Sequence, residues 1–459
     1  MSEPKKTKIT IIGSGLAGSF LSVLLAQKGY KIEIFERLDK NDICDTASKR
    51  SYNIVLFGFG ISLLKNAGLW EDIKPDLLTL QGTVTHIAQQ EKSVTSLVDQ
   101  QKMPYFTIAR ARFADILLKK ASTYSSVTIH YNSALVSVDR HRKSIVIQDT
   151  KSKKISTTSY EVIIGADGAN SLVRGFIQQG VDSHNSQEFA SWTYKQFLLS
   201  PETVDKLQLK KGFVHVWTQK DAFIIMHPDS TDSLAAMLVY PKNEKNHNLL
   251  TSESGIKTYI QGNFPELAPA IGEIRSEILA NPEGNFATVK TEPWYYKDFM
   301  ALIGDAAHGF YPFFGQGTTA AFTDCMMLVQ LLEDYEGDWQ KILPLYQEKR
   351  KKHADTLGEL SKEVIQKYLR FKKADYDAIY DKIEYEAHRF FPNIFSRPLS
   401  QSIITDPAHA ADHMEKHLKQ RKNMYKAGIS LLIGGLTLTA VLYELNTKKK
   451  SRLEKNQIN

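Results

Sequence analysis

Six residues near the start of the chain, Gly13-Ser14-Gly15-Leu16-Ala17-Gly18, have the types and spacing to hold a diphosphate. Ile9, Ile11 and Ile12 lead into them as a short apolar strand. Ser19 to Lys28 follows as a helix capped by Gly29, and a second strand, Lys31 to Phe35, ends at Glu36. In such a βαβ unit Gly13 permits the tight turn, Gly15 lets the backbone approach a pyrophosphate, and Gly18 lets the helix pack on the strands. The helix N-terminus offers free N–H groups and partial positive charge, and Glu36 can accept hydrogen bonds from a ribose diol. The chemistry indicated is dinucleotide binding. The motif alone does not separate FAD from NAD.

Two later segments narrow the choice. Val162-Ile163-Ile164 runs as a strand into Gly165-Ala166-Asp167-Gly168, with Arg174 soon after. Ala301-Leu302-Ile303 runs into Gly304-Asp305-Ala306-Ala307-His308 and continues through Pro312-Phe313-Phe314-Gly315-Gln316-Gly317 into a helical stretch containing Asp324. In this order, with the N-terminal glycines, the three segments resemble the FAD-dependent flavoprotein aromatic hydroxylases. The resemblance implies that Asp305 binds the ribityl chain, and that Gly315, Gly317, Thr318 and Thr319 lie along the loop and helix start facing the flavin's polar edge. A helix start there would stabilise negative charge on a reduced flavin. Asp167 is expected near both FAD and the path of the reductant.

Several stretches are specifically similar to the kynurenine 3-monooxygenase branch. They are Arg50-Ser51-Tyr52-Asn53 with Gly60, Ala109-Arg110-Ala111-Arg112-Phe113, and Phe213-Val214-His215-Val216-Trp217 with Phe223 to Pro228. By that likeness Arg110 contacts FAD, and Leu16, Ala17, Arg37 and Arg50 complete the cofactor-binding set. The departures fall on the substrate side. The branch's carboxylate-binding arginine falls at Thr83 or Val84, an asparagine falls near Lys362, and a tyrosine near Leu399 or Ser400. Thr319 and Phe59 also replace usual residues, while Tyr105 is retained. An anionic amino acid would lose its bidentate partner unless Lys362 or Arg112 replaces it. Candidate substrate residues are therefore Tyr105, Phe313, Phe314 and Lys362, the two phenylalanines being either pocket walls or core.

The family chemistry so implied uses NADPH or NADH to reduce FAD. Oxygen then passes from a flavin C4a-hydroperoxide to an aromatic ring, and no catalytic side chain beyond the flavin is expected. The absence of a second GxGxxG fits transient nicotinamide docking. His308 reads as a packing residue or a proton relay. His86, His215 and His227 show no metal spacing and read as structural, so no metal site is expected. Two alternatives stay open: a reductase or dehydrogenase of the same fold, and a membrane-tethered flavin-binding protein without hydroxylase activity.

The elements that must position these residues make an α/β protein. It combines a GxGxxG-type, Rossmann-like FAD-binding domain (residues 1–75, 106–180 and 290–330) with an inserted mixed β-sheet substrate domain (76–105 and 181–289). Phe213–Trp217 and Phe223–Met226 predict a hairpin, and Ser233–Tyr240 a third strand. A helical C-terminal region, 331–420, carries Leu357, Leu360, Val364, Ile365, Tyr368 and Leu369 at helical spacing.

Composition agrees with this reading and locates the charge. Of 459 residues 42% are hydrophobic, which a folded core requires, and two cysteines, Cys44 and Cys325, suit a reducing setting. MSEPKKTKITIIG holds no apolar run, so no secretory leader is expected. The net charge is +7, but residues 416–459 carry ten Lys/Arg against two Glu, which leaves the rest at −1 and gives little support to nucleic-acid binding. Between the basic clusters of the 421–459 tail, residues 427–443 form an uncharged stretch of 17. As a helix it would reach roughly 25 Å, enough for a thin bilayer core. The expectation is a membrane-associated protein, anchored in lipid by its tail, with its catalytic body in the cytoplasm. Its partners would be a small aromatic substrate and O2.

Overall fold

A computed structural model of the chain describes residues 7–43, 53–87, 93–96, 105–219, 221–369 and 376–424. Cys44, Arg50 and the tail segment 427–443 lie outside the described residues. The chain divides into two compact units, Met1–Asp375 with Ile404–Ala410, and Tyr376–Ile403 with Ala411–Asn459. Among the described residues no helix is long and apolar enough to cross a membrane.

The first unit is organised by two sheets. In one, Lys8–Ile12 lies between Lys31–Phe35 and Val162–Gly165, parallel to both, and Met300–Leu302 continues the parallel set. Ile9, Ile11 and Thr10 are fully buried, as a parallel strand covered on both faces requires. The helix Leu16–Gln27 starts three residues before the expected Ser19, because Gly15 takes the extended N-cap conformation inside the glycine motif. That helix is buried on nearly every side. Phe20 stacks on Phe322 at 4.0 Å, and Phe113 meets Phe322 edge-on at 5.7 Å. The helices Arg110–Ser122 and Gly317–Asp334 thereby clamp it from outside the sheet.

The second sheet is mixed and has eight strands. The expected hairpin is present: Phe213–Thr218 and Phe223–Pro228 run antiparallel with His215 opposite Met226, and Leu234–Pro241 follows with His227 opposite Ala235. Gly82–Ile87 joins parallel to the hairpin, with Thr83 opposite Val214. Alternation gives this sheet two distinct faces. Trp217, Ile224, Met226, Leu234, Ala236 and Leu238 turn to one side. There they pack with Ile256, Ile260, Ile274 and Ile278 from the helices Glu253–Asn263 and Ile271–Ala280. The intervening residues turn the other way. A one-residue slip would exchange the two sets, so burial of the first set fixes what the second presents.

In the helical region Trp339–Leu369 is a single helix, with Leu357 and Leu360 buried as their spacing predicts. The second unit contains the helix Tyr376–Phe390. Within it Ser396 N–H donates to Gln420 Oε1 at 2.7 Å, and His417 Nδ1 lies 3.4 Å from the buried Glu384.

Candidate active site

A cavity of about 370 Å3 opens in the first unit, within the size range of cofactor and small-ligand sites. One wall is made of glycine turns and helix starts. Gly15, Leu16 and Ala17, Arg110, Asp305, and Gly315, Gly317 and Thr318 all line it, as do Ala166 and Gly168. The opposite wall is the free face of the mixed sheet: Thr83, Val214, Val216, Ile225, His227, Ala235 and Met237. Tyr105, Phe57, Phe313 and Phe314 join that apolar side.

The glycine wall is shaped by backbone. A Cβ on Gly18 would lie 2.0 Å from the Gly13 carbonyl oxygen, and one on Gly13 would lie 2.6 Å from the Ala166 carbonyl oxygen. Gly13 and Gly18 therefore hold the turn against its neighbours, beneath the cavity. At Gly15 and Gly317, which line the cavity, a Cβ would meet nothing within 4 Å. The helices Leu16–Gln27 and Gly317–Asp334 both begin here without a side-chain cap, so their first N–H groups face the cavity side uncapped. Among the described residues, the buried Gln316 Nε2 beside the second start also has no hydrogen-bond partner. Two uncapped helix starts, an orphaned amide donor and the cavity-lining Arg110 suit an anionic dinucleotide, and the residues present fit FAD.

Buried ion pairs hold this wall in place. Asp324 Oδ2 accepts from Gly304 N–H at 3.1 Å and lies 2.5 Å from His308 Nε2, while Arg350 Nε donates to Asp324 Oδ1 at 2.9 Å. All three side chains are essentially without solvent exposure. Burial alone would push the Asp324 carboxyl up; His308 and Arg350 outweigh it, and the net direction is down. His308 thus sits in a buried pair rather than on the cavity, which favours the packing reading over the relay. Arg174, noted in the sequence without a role, joins the two Gly-Asp turns: it donates to Ala306 O at 3.0 Å and to Ala169 O at 2.6 Å.

Other sequence-named residues are placed differently. Glu36 is buried and holds the loop by accepting from Ser14 N–H at 2.8 Å, Ser14 Oγ–H at 2.9 Å and Leu38 N–H at 3.0 Å. A carboxylate has acceptor capacity beyond these bonds. Arg37 is exposed and is not among the cavity-lining residues. Asp167 also does not line the cavity. It accepts from Ser171 Oγ–H and from Leu172 N–H at 2.8 Å, capping the helix Leu172–Gln178. Burial is the largest influence on its carboxyl and pushes it up against those hydrogen bonds. Thr319 is buried and does not line the cavity, and its Oγ1 has no hydrogen-bond partner among the described residues.

On the substrate side Tyr105 is buried and meets Phe57 edge-on at 4.8 Å. Phe313 combines both expected roles, lining the cavity and packing edge-on against Phe223 at 5.4 Å and Phe286 at 5.0 Å. Lys362 and Arg112, the two possible replacement cations, are elsewhere. Lys362 pairs with Glu188 at 2.7 Å and Arg112 with Asp76 at 2.7 Å, and neither lines the cavity. Each lies within reach of an acidic partner on the surface, which explains its position without a ligand.

Thr83 faces the cavity; its neighbour Val84 is buried and is not part of the lining. His86 and His215 are structural, 3.0 Å apart on the far face, with His86 stacked on Trp217 at 3.9 Å. His227 is not: it lines the cavity. The signal that could have found it is strand alternation, since His227 is two residues from Ile225 in a strand whose intervening Met226 is core. Among the described residues no cluster of His, Cys, Asp and Glu has metal-holding geometry.

The model of a family described as FAD binding domain matches residues 6–361. The chain is 32% identical over 354 residues to the kynurenine 3-monooxygenase of Legionella pneumophila (strain Corby), covering 77% of this chain and 78% of that protein. It is 27% identical over 460 residues to the kynurenine 3-monooxygenase of Salinispora arenicola, covering 97% and 99%. Among solved structures, 2-methyl-3-hydroxypyridine-5-carboxylic acid oxygenase shares the fold with a TM-score of 0.66 at 20% identity, over 79% of this chain and 92% of that one. A tetracycline destructase does so with a TM-score of 0.63 at 20% identity, over 89% and 98%.

Proposed function

This chain belongs to the FAD-binding-domain family of flavoprotein aromatic hydroxylases and is an FAD-dependent monooxygenase, and we propose that it uses NADPH or NADH and O2 to hydroxylate an aromatic ring. The observation that carries the reading is a single cavity with a backbone-built anion-binding wall on one side and an apolar sheet face on the other. Bound there, FAD supplies two-electron transfer from the nicotinamide and activation of O2.

The chain's own residues supply binding and exclusion of water. The uncapped starts at Gly15 and Gly317 receive negative charge. Asp305, a cavity-lining carboxylate, would hold the ribityl hydroxyls, Glu36 the adenosine ribose, and Arg110 would contact the cofactor from the cavity wall. Arg174 and Asp324 keep the two Gly-Asp turns in register from behind. Phe313, Phe314, Val216, Ile225 and Met237 give the aromatic ring a water-poor surface.

The basic tail supports one addition, anchoring to membrane lipid through 427–443. Co-sedimentation of the full chain with anionic vesicles, lost on deletion of 421–459, is the expected outcome; equal sedimentation of both would contradict it.

Mixing the purified yellow protein anaerobically with NADPH and then NADH tests the core of the reading. Bleaching of the flavin by either, followed by reoxidation on admitting air, is expected. A flavin that stays oxidised with both would remove the nicotinamide-dependent reaction.

A further inference from the structure

The free face of the mixed sheet carries information about the substrate. We propose that this face selects an uncharged aromatic substrate bearing a hydrogen-bonding carbonyl or amine, and that the imidazole of His227 is the side chain that binds that group. The proposal rests on the monooxygenase reading and narrows it to a substrate class.

Charge decides the first half. Among the described residues the charged side chains lining the cavity are Arg110 and Asp305, both on the glycine wall assigned to the cofactor. The sheet contributes Thr83, Val214, Val216, Ile225, Ala235 and Met237, and no cation. A substrate carboxylate docked on this surface would leave water without a charged partner, which a buried anion does not tolerate. Lys362 and Arg112 are committed to Glu188 and Asp76 outside the lining.

Position and hydrogen bonding decide the second half. His227 stands opposite Ala235 across the strand pair, so a small neighbour leaves its ring room at the cavity surface. Its strand is tied down at the end, where Asn53 Nδ2 donates to the Pro228 carbonyl at 3.0 Å. The ring itself makes no hydrogen bond to any described residue, whereas the nearby His86 and His215 are bonded to each other. A neutral imidazole has one donor and one acceptor to satisfy. Burial pushes the pKa of His227 down to about 4, which favours the neutral ring at pH 7. A neutral ring is a poor substitute for a carboxylate-binding arginine and a good partner for a carbonyl or an aromatic amine.

The test titrates two probes into the oxidised, flavin-loaded full-length protein and follows the flavin absorbance difference spectrum, which reads binding without turnover. One probe is 2-aminoacetophenone, an uncharged aminoaryl ketone; the other is L-kynurenine, which shares its ring and ketone but adds a charged amino-acid end. Wild type is expected to bind 2-aminoacetophenone at least about tenfold more tightly. His227→Leu should weaken that binding about tenfold, the usual scale for losing one buried hydrogen bond, and His227→Gln should restore most of it. Tighter binding of L-kynurenine, no binding of the ketone, or equal affinities in wild type and His227→Leu would each overturn the proposal. Protein that purifies without flavin, or whose flavin no nicotinamide reduces, overturns the monooxygenase reading and the proposal with it. That failure is visible before any probe is added.

Discussion

The two walls of the cavity are specified in different ways. On the nucleotide side the backbone makes the surface: Gly13 and Gly18 exclude any side chain, and buried groups such as Asp324 fix the turns from behind. On the sheet side the backbone is regular, and the surface consists of whichever side chains alternation leaves opposite the core. The first wall tolerates little change in residue type. The second can exchange Val214, Ile225 or His227 for other residues without disturbing the strand, so long as the core face keeps its packing. Cofactor binding and substrate choice are thereby separable within one cavity.

That contrast breaks most directly at Asp324. Replacing it by Ala leaves Arg350 and His308 buried without their carboxylate, and a loss of about 3–5 kcal/mol of stability is expected. Denaturant midpoints measure it, and a loss below about 1 kcal/mol would show that the ion network does not brace the wall.

The sheet side is expected to respond to pH. With its pKa depressed from 6.5 to about 4, His227 is neutral in the folded protein while the unfolded chain takes up a proton below pH 6.5. The wild type then loses stability as pH falls from about 6.5 towards 4, by up to roughly 3 kcal/mol, and keeps the full contribution above that window. His227→Leu should lack this component when the two proteins are compared at pH 7 and pH 4.5. Parallel curves would place His227 in contact with water.

Gly18→Ala tests the backbone-built wall. The added methyl would lie 2.0 Å from the Gly13 carbonyl oxygen. Overpacking of about 1–3 kcal/mol should lower flavin retention by tenfold or more with L-kynurenine and ketone preferences unchanged. Full flavin content would contradict the close-packing role. The smallest effect is expected at Lys362. Its ion pair with Glu188 is partly exposed and contributes about 0–1 kcal/mol. Lys362→Ala should change L-kynurenine binding less than about twofold; a tenfold loss would bring this residue back to the substrate and blur the division between the walls.

The same division governs what could be read from sequence. Gly13 and Gly18 are legible in the sequence because a side chain there would clash with backbone, Gly304 and Gly315 because their positive φ suits glycine, and the hairpin beginning at Phe213 from its turn and apolar strands. Lys362 and Arg112 were plausible cations by position along the chain, but their acidic partners, Glu188 and Asp76, are distant in sequence and come near only on folding. The family resemblance puts Asp167 near the flavin, whereas the cap it forms depends on the direction of the following helix. Spacing alone groups His227 with His86 and His215, because it ignores which face of a strand a residue occupies. The register of Phe223–Pro228 against Leu234–Pro241 was needed to separate them.

The central claim is that this cavity joins a reducible flavin to an aromatic ring so that an oxygen atom is transferred. Its most direct test is product mass after turnover of the flavin-loaded protein with NADPH and 2-aminoacetophenone under isotopically labelled dioxygen. A product heavier than the substrate by one labelled oxygen atom is the predicted result. Oxidation of NADPH with all of the oxygen released as hydrogen peroxide, for this probe and for L-kynurenine and indole alike, would contradict it.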